Sequence, residues 1–217
     1  MTTPELAAFV AALLLAYLMG SIPFGVVIGK LFYHVDVRQH GSGNVGTTNV
    51  FRVLGKKAGV AVLVCDMLKG FIPAFTAAYF LRETDPWLVI VIAAAPVVGH
   101  MYSVFLKGSG GKGVATGAGV VLALVPLAFG IIAVVWVLLI LVTRYVSLAS
   151  LVATLLVPVF VFALGDPLPY LIASLLVTVG IFWAHRGNIR RLLNGTENRV
   201  KLQWKHDHSA VVGGGGT

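Results

Sequence analysis

The chain has 217 residues, of which 58% are hydrophobic and only 11% charged, and its formal net charge is +8. A mean hydropathy of +0.94 excludes an ordinary soluble domain and points to lipid as the solvent. Cys65 is the single cysteine, so neither an intrachain disulfide nor a cysteine metal cluster can be built.

A bilayer core takes roughly 20 apolar residues per helical span. In chain order the sequence predicts spans at 6–29, 58–81, 86–106, 146–164 and 168–183. The remaining apolar stretch, 114–143, is too long for one comfortable span, and Pro126 near its middle favours a break. Reading it as two crossings, 114–125 and 127–143, gives an all-α polytopic membrane protein with seven transmembrane helices. Charge favours that count over six. With the N-terminus outside and the C-terminus cytoplasmic, 14 of the 16 Lys and Arg residues fall on the inner side, Arg82 lies outside and Lys69 lies within a span. The residues before Glu5 lack a basic leader region, so the first apolar stretch is expected to stay as an anchor. Residues 1–204 read as one domain and 205–217, with His206 and His208 flanking Asp207, as a flexible cytoplasmic tail.

Three glycine-rich polar cassettes interrupt the apolar background, all on the expected cytoplasmic face. The first holds Gly41, Ser42, Gly43, Asn44, Gly46, Thr48 and Asn49, with Arg52 just beyond. The second holds Gly110, Gly111, Lys112, Gly113 and Thr116, and the third His185, Asn188, Arg190 and Arg191. Glycines let backbone N–H groups turn toward a ligand, while Ser, Thr, Asn, Lys, Arg and His add the donors and cations that attract phosphate. Familiar nucleotide motifs fail on context. Gly41, Gly43 and Gly46 match a dinucleotide fingerprint, but no strand precedes them and the acid about 20 residues on, Asp66, lies in a predicted membrane helix. Gly113 stands where a nucleotide P-loop needs Ser or Thr. The positive charge does not call for nucleic acid, because the cations sit in membrane loops.

Other polar residues have bland readings beside functional ones. Asp66 and Lys69, three apart in one span, can pair as a functional element or pin that helix to its neighbours. His100 can brace a backbone carbonyl or contact a ligand. Gly20, Ser21 and Pro23 shape a helix, and Arg38, Lys56, Lys57, Lys201 and Lys205 are topology or headgroup signals. An anion transporter and a lipid-binding scaffold are the competing classes. Carriers usually hold substrate near the midplane between repeats, and no repeat is visible; a scaffold explains the charges but not Asn44, Thr48 and Asn188.

In order and spacing the cassettes, with Gly99, His100 and Phe105 before the second and Gly195 and Glu197 after the third, resemble the bacterial membrane glycerol-3-phosphate acyltransferases that use acyl phosphate. The likeness covers about residues 19–199; Gly108 and Ser109 depart from it before the second cassette, and Ala184 and Gly187 beside His185. It implies transfer of a long-chain acyl group from acyl phosphate to the sn-1 hydroxyl of glycerol 3-phosphate, giving lysophosphatidate and phosphate. It also implies a bacterial inner-membrane location with a cytoplasmic site. The implied catalytic set is Ser42, Arg52, Lys112, His185 and Asn188. The implied substrate-binding set is Gly43, Asn44, Gly46, Thr48, Asn49, His100, Gly111, Gly113, Thr116, Arg191 and Glu197, with no metal and no cofactor. Implied partners are acyl phosphate, glycerol 3-phosphate, membrane lipid and the enzyme that forms the acyl phosphate. None of the six histidines has an aspartate five residues on, so the His-Asp pair common in thioester-using acyltransferases is missing. An activated mixed anhydride needs positioning and charge neutralisation more than a strong base. The proton acceptor, His185 or a substrate phosphate, is open at this point.

Overall fold

A computed structural model describes residues 1–81 and 85–200 of the chain. Arg82 and Glu83, Lys201 and Lys205, and the expected flexible tail with His206 and His208 lie outside the described residues. Among the described residues every regular element is helical.

The first apolar stretch is two helices rather than one span. Helix α1 (Thr3–Ser21) stops before Pro23, which brings no N–H to the ladder, and α2 (Phe24–Tyr33) resumes beyond it. A 3-10 turn, Val37–Gln39, leads to α3 (Thr47–Leu54) and then to α4 (Lys56–Leu81). Helix α5 (Pro86–Met101) starts on an Asp85 cap, whose carboxylate accepts the N–H groups of Trp87 and Leu88. The stretch 114–143 does break where Pro126 predicts, into α6 (Val114–Leu124) and α7 (Pro126–Thr143). Helices α8 (Val146–Ala163) and α9 (Leu168–Ala184) follow, and after a 62° bend comes α10 (Arg186–Leu193).

Five of these segments are long and apolar enough to cross a membrane: α1, α4, α5 with its following turn, α7 and α8; α9 with α10 makes a sixth if the bent pair counts as one. Helix α6 has 11 residues, roughly 16 Å at 1.5 Å per residue, against a hydrocarbon core of about 30 Å.

Small residues bring the helices together, as expected where lipid supplies no hydrophobic drive between them. A methyl group at Gly70 would run into the Thr116 carbonyl of α6, and one at Gly119 into the Met67 carbonyl of α4. Gly20 meets the Pro96 backbone, and Gly99 meets the Tyr17 carbonyl, at the α1–α5 crossing. Ala74, Val89, Ala93, Leu124, Ala128 and Tyr170 fill the centre. Leu127, Val134, Leu138 and Val142 form an exposed apolar stripe along α7, a surface suited to lipid.

Candidate active site

The first cassette is a loop closed on itself. Gly41 and Gly43 take φ of 63° and 70°, the left-handed region that glycine enters without steric cost. Asn49, 2% exposed, accepts the Ser42 N–H on Oδ1 at 2.8 Å and donates from Nδ2 to the carbonyls of Val37 at 3.0 Å and His40 at 3.1 Å. Asn44 Oδ1 accepts the N–H of Gly46, the N-cap of α3. These two amides therefore shape the loop, whereas Ser42, Thr48 and Arg52 are exposed. Just before the loop, Asp36 carries an ion pair to Arg38 at 2.5 Å and another to Lys30 at 3.3 Å. The Arg38 guanidinium holds the Asp36 carboxyl well below the usual carboxylate range. Arg38, which the sequence marks as a topology or headgroup signal, also has a protein partner that hydropathy could not reveal.

The second cassette lies over His100. The His100 carbonyl accepts the Gly111 N–H at 2.9 Å, and the backbone of Gly111 lies so close to Nε2 that a methyl group there would overlap the ring. Gly113, at φ 84°, caps α6, and Thr116 is fully buried on the α4 side. Of this cassette's site candidates, Lys112 is the one whose side chain reaches across to the third cassette: Nζ donates to Asn188 Oδ1, 76 residues on.

The third cassette occupies the bend between α9 and α10. His185, 3% exposed, places Nδ1 2.8 Å from the Ile181 carbonyl, so Nδ1 carries the hydrogen and Nε2 is the other functional nitrogen. One turn on, Asn188 Nδ2 donates to Glu197 Oε1 at 2.6 Å. Ser147 Oγ donates to the same oxygen at 2.9 Å, and Arg191 Nε donates to Oε2 at 2.7 Å. Burial raises the Glu197 pKa, but the hydrogen bonds from Asn188, Arg191 and Ser147 outweigh that and leave it below the ordinary value. Glu197 thus organises donors around itself. Ser147 had no signal in the sequence, being one of two serines, with Ser150, at the start of an apolar helix.

Burial pushes Lys112 down to about 8; the Glu197 charge opposes the fall, and the charges of Arg191 and Arg52 add to it. The action of the Arg52 charge on Lys112 brings the first cassette into the field of the other two. Three cations set against one carboxylate leave an anion-binding surplus beside an apolar boundary. No group of three or more His, Cys, Asp or Glu among the described residues could hold a metal ion.

Residues 10–195 match the family model described as glycerol-3-phosphate acyltransferase. The glycerol-3-phosphate acyltransferase of Geobacillus kaustophilus is 51% identical, the alignment covering 89% of this chain and 96% of that protein. Its namesake from Fusobacterium nucleatum is 44% identical over 90% of this chain and all of that one. Among solved structures, PlsY (YgiH), an integral membrane glycerol 3-phosphate acyltransferase, in its glycerol 3-phosphate form superposes with a TM-score of 0.86 at 47% identity, covering 89% of this chain and 96% of that one. A lysophosphatidic acid form of PlsY gives a TM-score of 0.84 at 46% identity, with the same coverage. The arrangement of helices and cassettes and the breadth of these matches agree: the chain belongs to the glycerol-3-phosphate acyltransferase family.

Proposed function

We propose that this integral membrane protein transfers a long-chain acyl group from acyl phosphate to the sn-1 hydroxyl of glycerol 3-phosphate. The products are lysophosphatidate and inorganic phosphate, an early step of phospholipid synthesis. The hydroxyl oxygen attacks the acyl carbonyl carbon, the new ester C–O bond forms, and the bond from carbon to the phosphate oxygen breaks. The leaving group departs as phosphate, and the hydroxyl proton passes to a phosphate oxygen. The observation that carries this reading is the contact between Lys112 and Asn188, which joins the second and third cassettes within reach of the Arg52 charge. Two phosphate groups bring about four negative charges to one site, and Lys112, Arg52 and Arg191 with the glycine-rich backbone supply the complement.

His185 acts as a phosphate ligand or orienter through Nε2, held by its Nδ1 bond to Ile181. Ser42 and Thr48, exposed on the loop that Asn49 shapes, offer hydroxyls to glycerol 3-phosphate. The protein acts as one domain over residues 1–204 in the bacterial inner membrane, with seven spans, the N-terminus outside and the site cytoplasmic. The 14-to-1 distribution of Lys and Arg supports that topology, with α6 as the short fourth span.

The test is turnover by purified protein. Acyl phosphate with glycerol 3-phosphate gives stoichiometric lysophosphatidate and phosphate, and acyl-CoA is a far poorer donor because the chain lacks the motif of a histidine with an aspartate five residues on that serves thioester-using acyltransferases. Efficient turnover with acyl-CoA overturns the donor assignment.

A further inference from the structure

A carboxylate and an ammonium inside an apolar helix carry a desolvation penalty that only close pairing and further polar contacts offset. Asp66 and Lys69 meet that condition in α4. Both side chains are 2% exposed, and Lys69 Nζ lies 2.7 Å from Asp66 Oδ1. The ammonium also donates to the Ile22 carbonyl at 2.9 Å, at the break between α1 and α2, and stands 5.6 Å from the centre of the Phe24 ring.

Two arms lead from this pair. On one side, Ile22 closes the end of α1 and Phe24 begins α2, whose Gly25 is pressed so closely on the Val45 carbonyl that a methyl group would overlap it; Val45 belongs to the first cassette. On the other side, His100 Nδ1 is 3.7 Å from Asp66 Oδ1, and the opposite edge of that ring, Nε2, supports Gly111. The next residue is Lys112. A third contact braces the middle, since Gly70, the neighbour of Lys69, abuts the Thr116 carbonyl of α6.

The geometry points to Asp66 and Lys69 as positioning residues for acyl transfer: a buried ion pair that sets the spacing between the first cassette, reached through Ile22 and α2, and Lys112, reached through His100 and Gly111. This rests on the reading of those cassettes as two parts of one acyl-transfer site. Attack of a hydroxyl on a carbonyl held by a different part of the site depends steeply on separation, and a displacement of about 1 Å costs on the order of 100-fold. Both side chains are buried and paired with each other, which places them to act through their neighbours. Its effect therefore falls on alignment rather than on the affinity of either half.

The experiment compares wild-type protein with the double variant Asp66→Asn/Lys69→Met, which removes both charges together and so leaves no unpaired buried ion. Steady-state kinetics with acyl phosphate and glycerol 3-phosphate are read per folded molecule, alongside the melting temperature. The expected result is a fall in kcat of at least ~10-fold with both KM values within about threefold of wild type and a melting temperature close to it. A second pair of variants tests the His100 arm even where the double variant fails to fold. The amide of His100→Gln can reach the Nε2 position beneath Gly111, whereas that of His100→Asn reaches only the Nδ1 position, so His100→Gln keeps the higher kcat. Wild-type kcat in the folded double variant, or equal losses in the two His100 variants, overturns the inference. Wild-type protein inert toward acyl phosphate overturns the acyl-transfer reading instead.

Discussion

Lys112 offers a prediction in which the structure supplies both the pH and the sign. Its ammonium, directed at Asn188, has its pKa lowered from the usual 10.5 to about 8, chiefly by burial. That fall corresponds to roughly 3 kcal/mol disfavouring the charged form in the free enzyme. At pH 7 the ammonium still outnumbers the amine by about 10 to 1, and at pH 9 the ratio is reversed. If the charge is what holds a substrate phosphate, kcat/KM is level below pH 8 and falls about tenfold per pH unit above it. A bound phosphate dianion pulls the pKa back up, so the limb in kcat lies at higher pH than the limb in kcat/KM. Phosphate release is followed from pH 6.5 to 9.5 in wild type and in Lys112→Arg, whose guanidinium stays charged throughout. Lys112→Arg is slower, because its fork does not reproduce the ammonium's contact with Asn188, but its profile has no limb near pH 8. The same lowered pKa means that the unfolded chain binds more protons than the native one between about pH 8 and 10.5, so this group's contribution to stability rises with pH across that window. A wild-type kcat/KM that stays level to pH 9.5, or a limb near 8 that survives in Lys112→Arg, refutes the assignment.

Arg52→Ala, removing an exposed cation that acts on Lys112, should cost about 2 to 3 kcal/mol of transition-state stabilisation, roughly 30- to 150-fold in kcat/KM, while Lys57→Ala on the neighbouring helix leaves turnover near wild type. Kinetics on both variants decide it, and equal small effects would remove Arg52 from the site. Gly119→Ala places a methyl group against the Met67 carbonyl and forces α4 and α6 apart, so thermal unfolding in detergent should show a loss of about 1 to 3 kcal/mol. An unchanged melting temperature would show that the crossing has slack. For topology, in a Cys65→Ser background, cysteines at the exposed positions Ser109 and Asn194 should resist an impermeant thiol reagent added to intact cells, and one at Leu164 should react. Labelling of Asn194 from outside would remove the seven-span arrangement.

Hydropathy and proline placement by themselves determined most of the helices, including the break at Pro126, because both are local: an apolar run must satisfy its own backbone in lipid, and proline cannot continue the ladder. The break at Pro23 obeys the same rule, yet the unbroken apolar run from 6 to 29 hid it. Residue types alone also marked the three cassettes as donors for an anion. What each donor faces was decided by tertiary structure. Asn49 and Asn44 turn inward on their own loop, Glu197 gathers Ser147, Asn188 and Arg191, and Arg38 pairs with Asp36. A polar side chain has the same hydrogen-bonding capacity whether its partner is protein or ligand. Only packing, which sets Lys112 against Asn188 across 76 residues and slides His100 beneath Gly111, distinguishes the polar residues that bond within the protein from those left exposed.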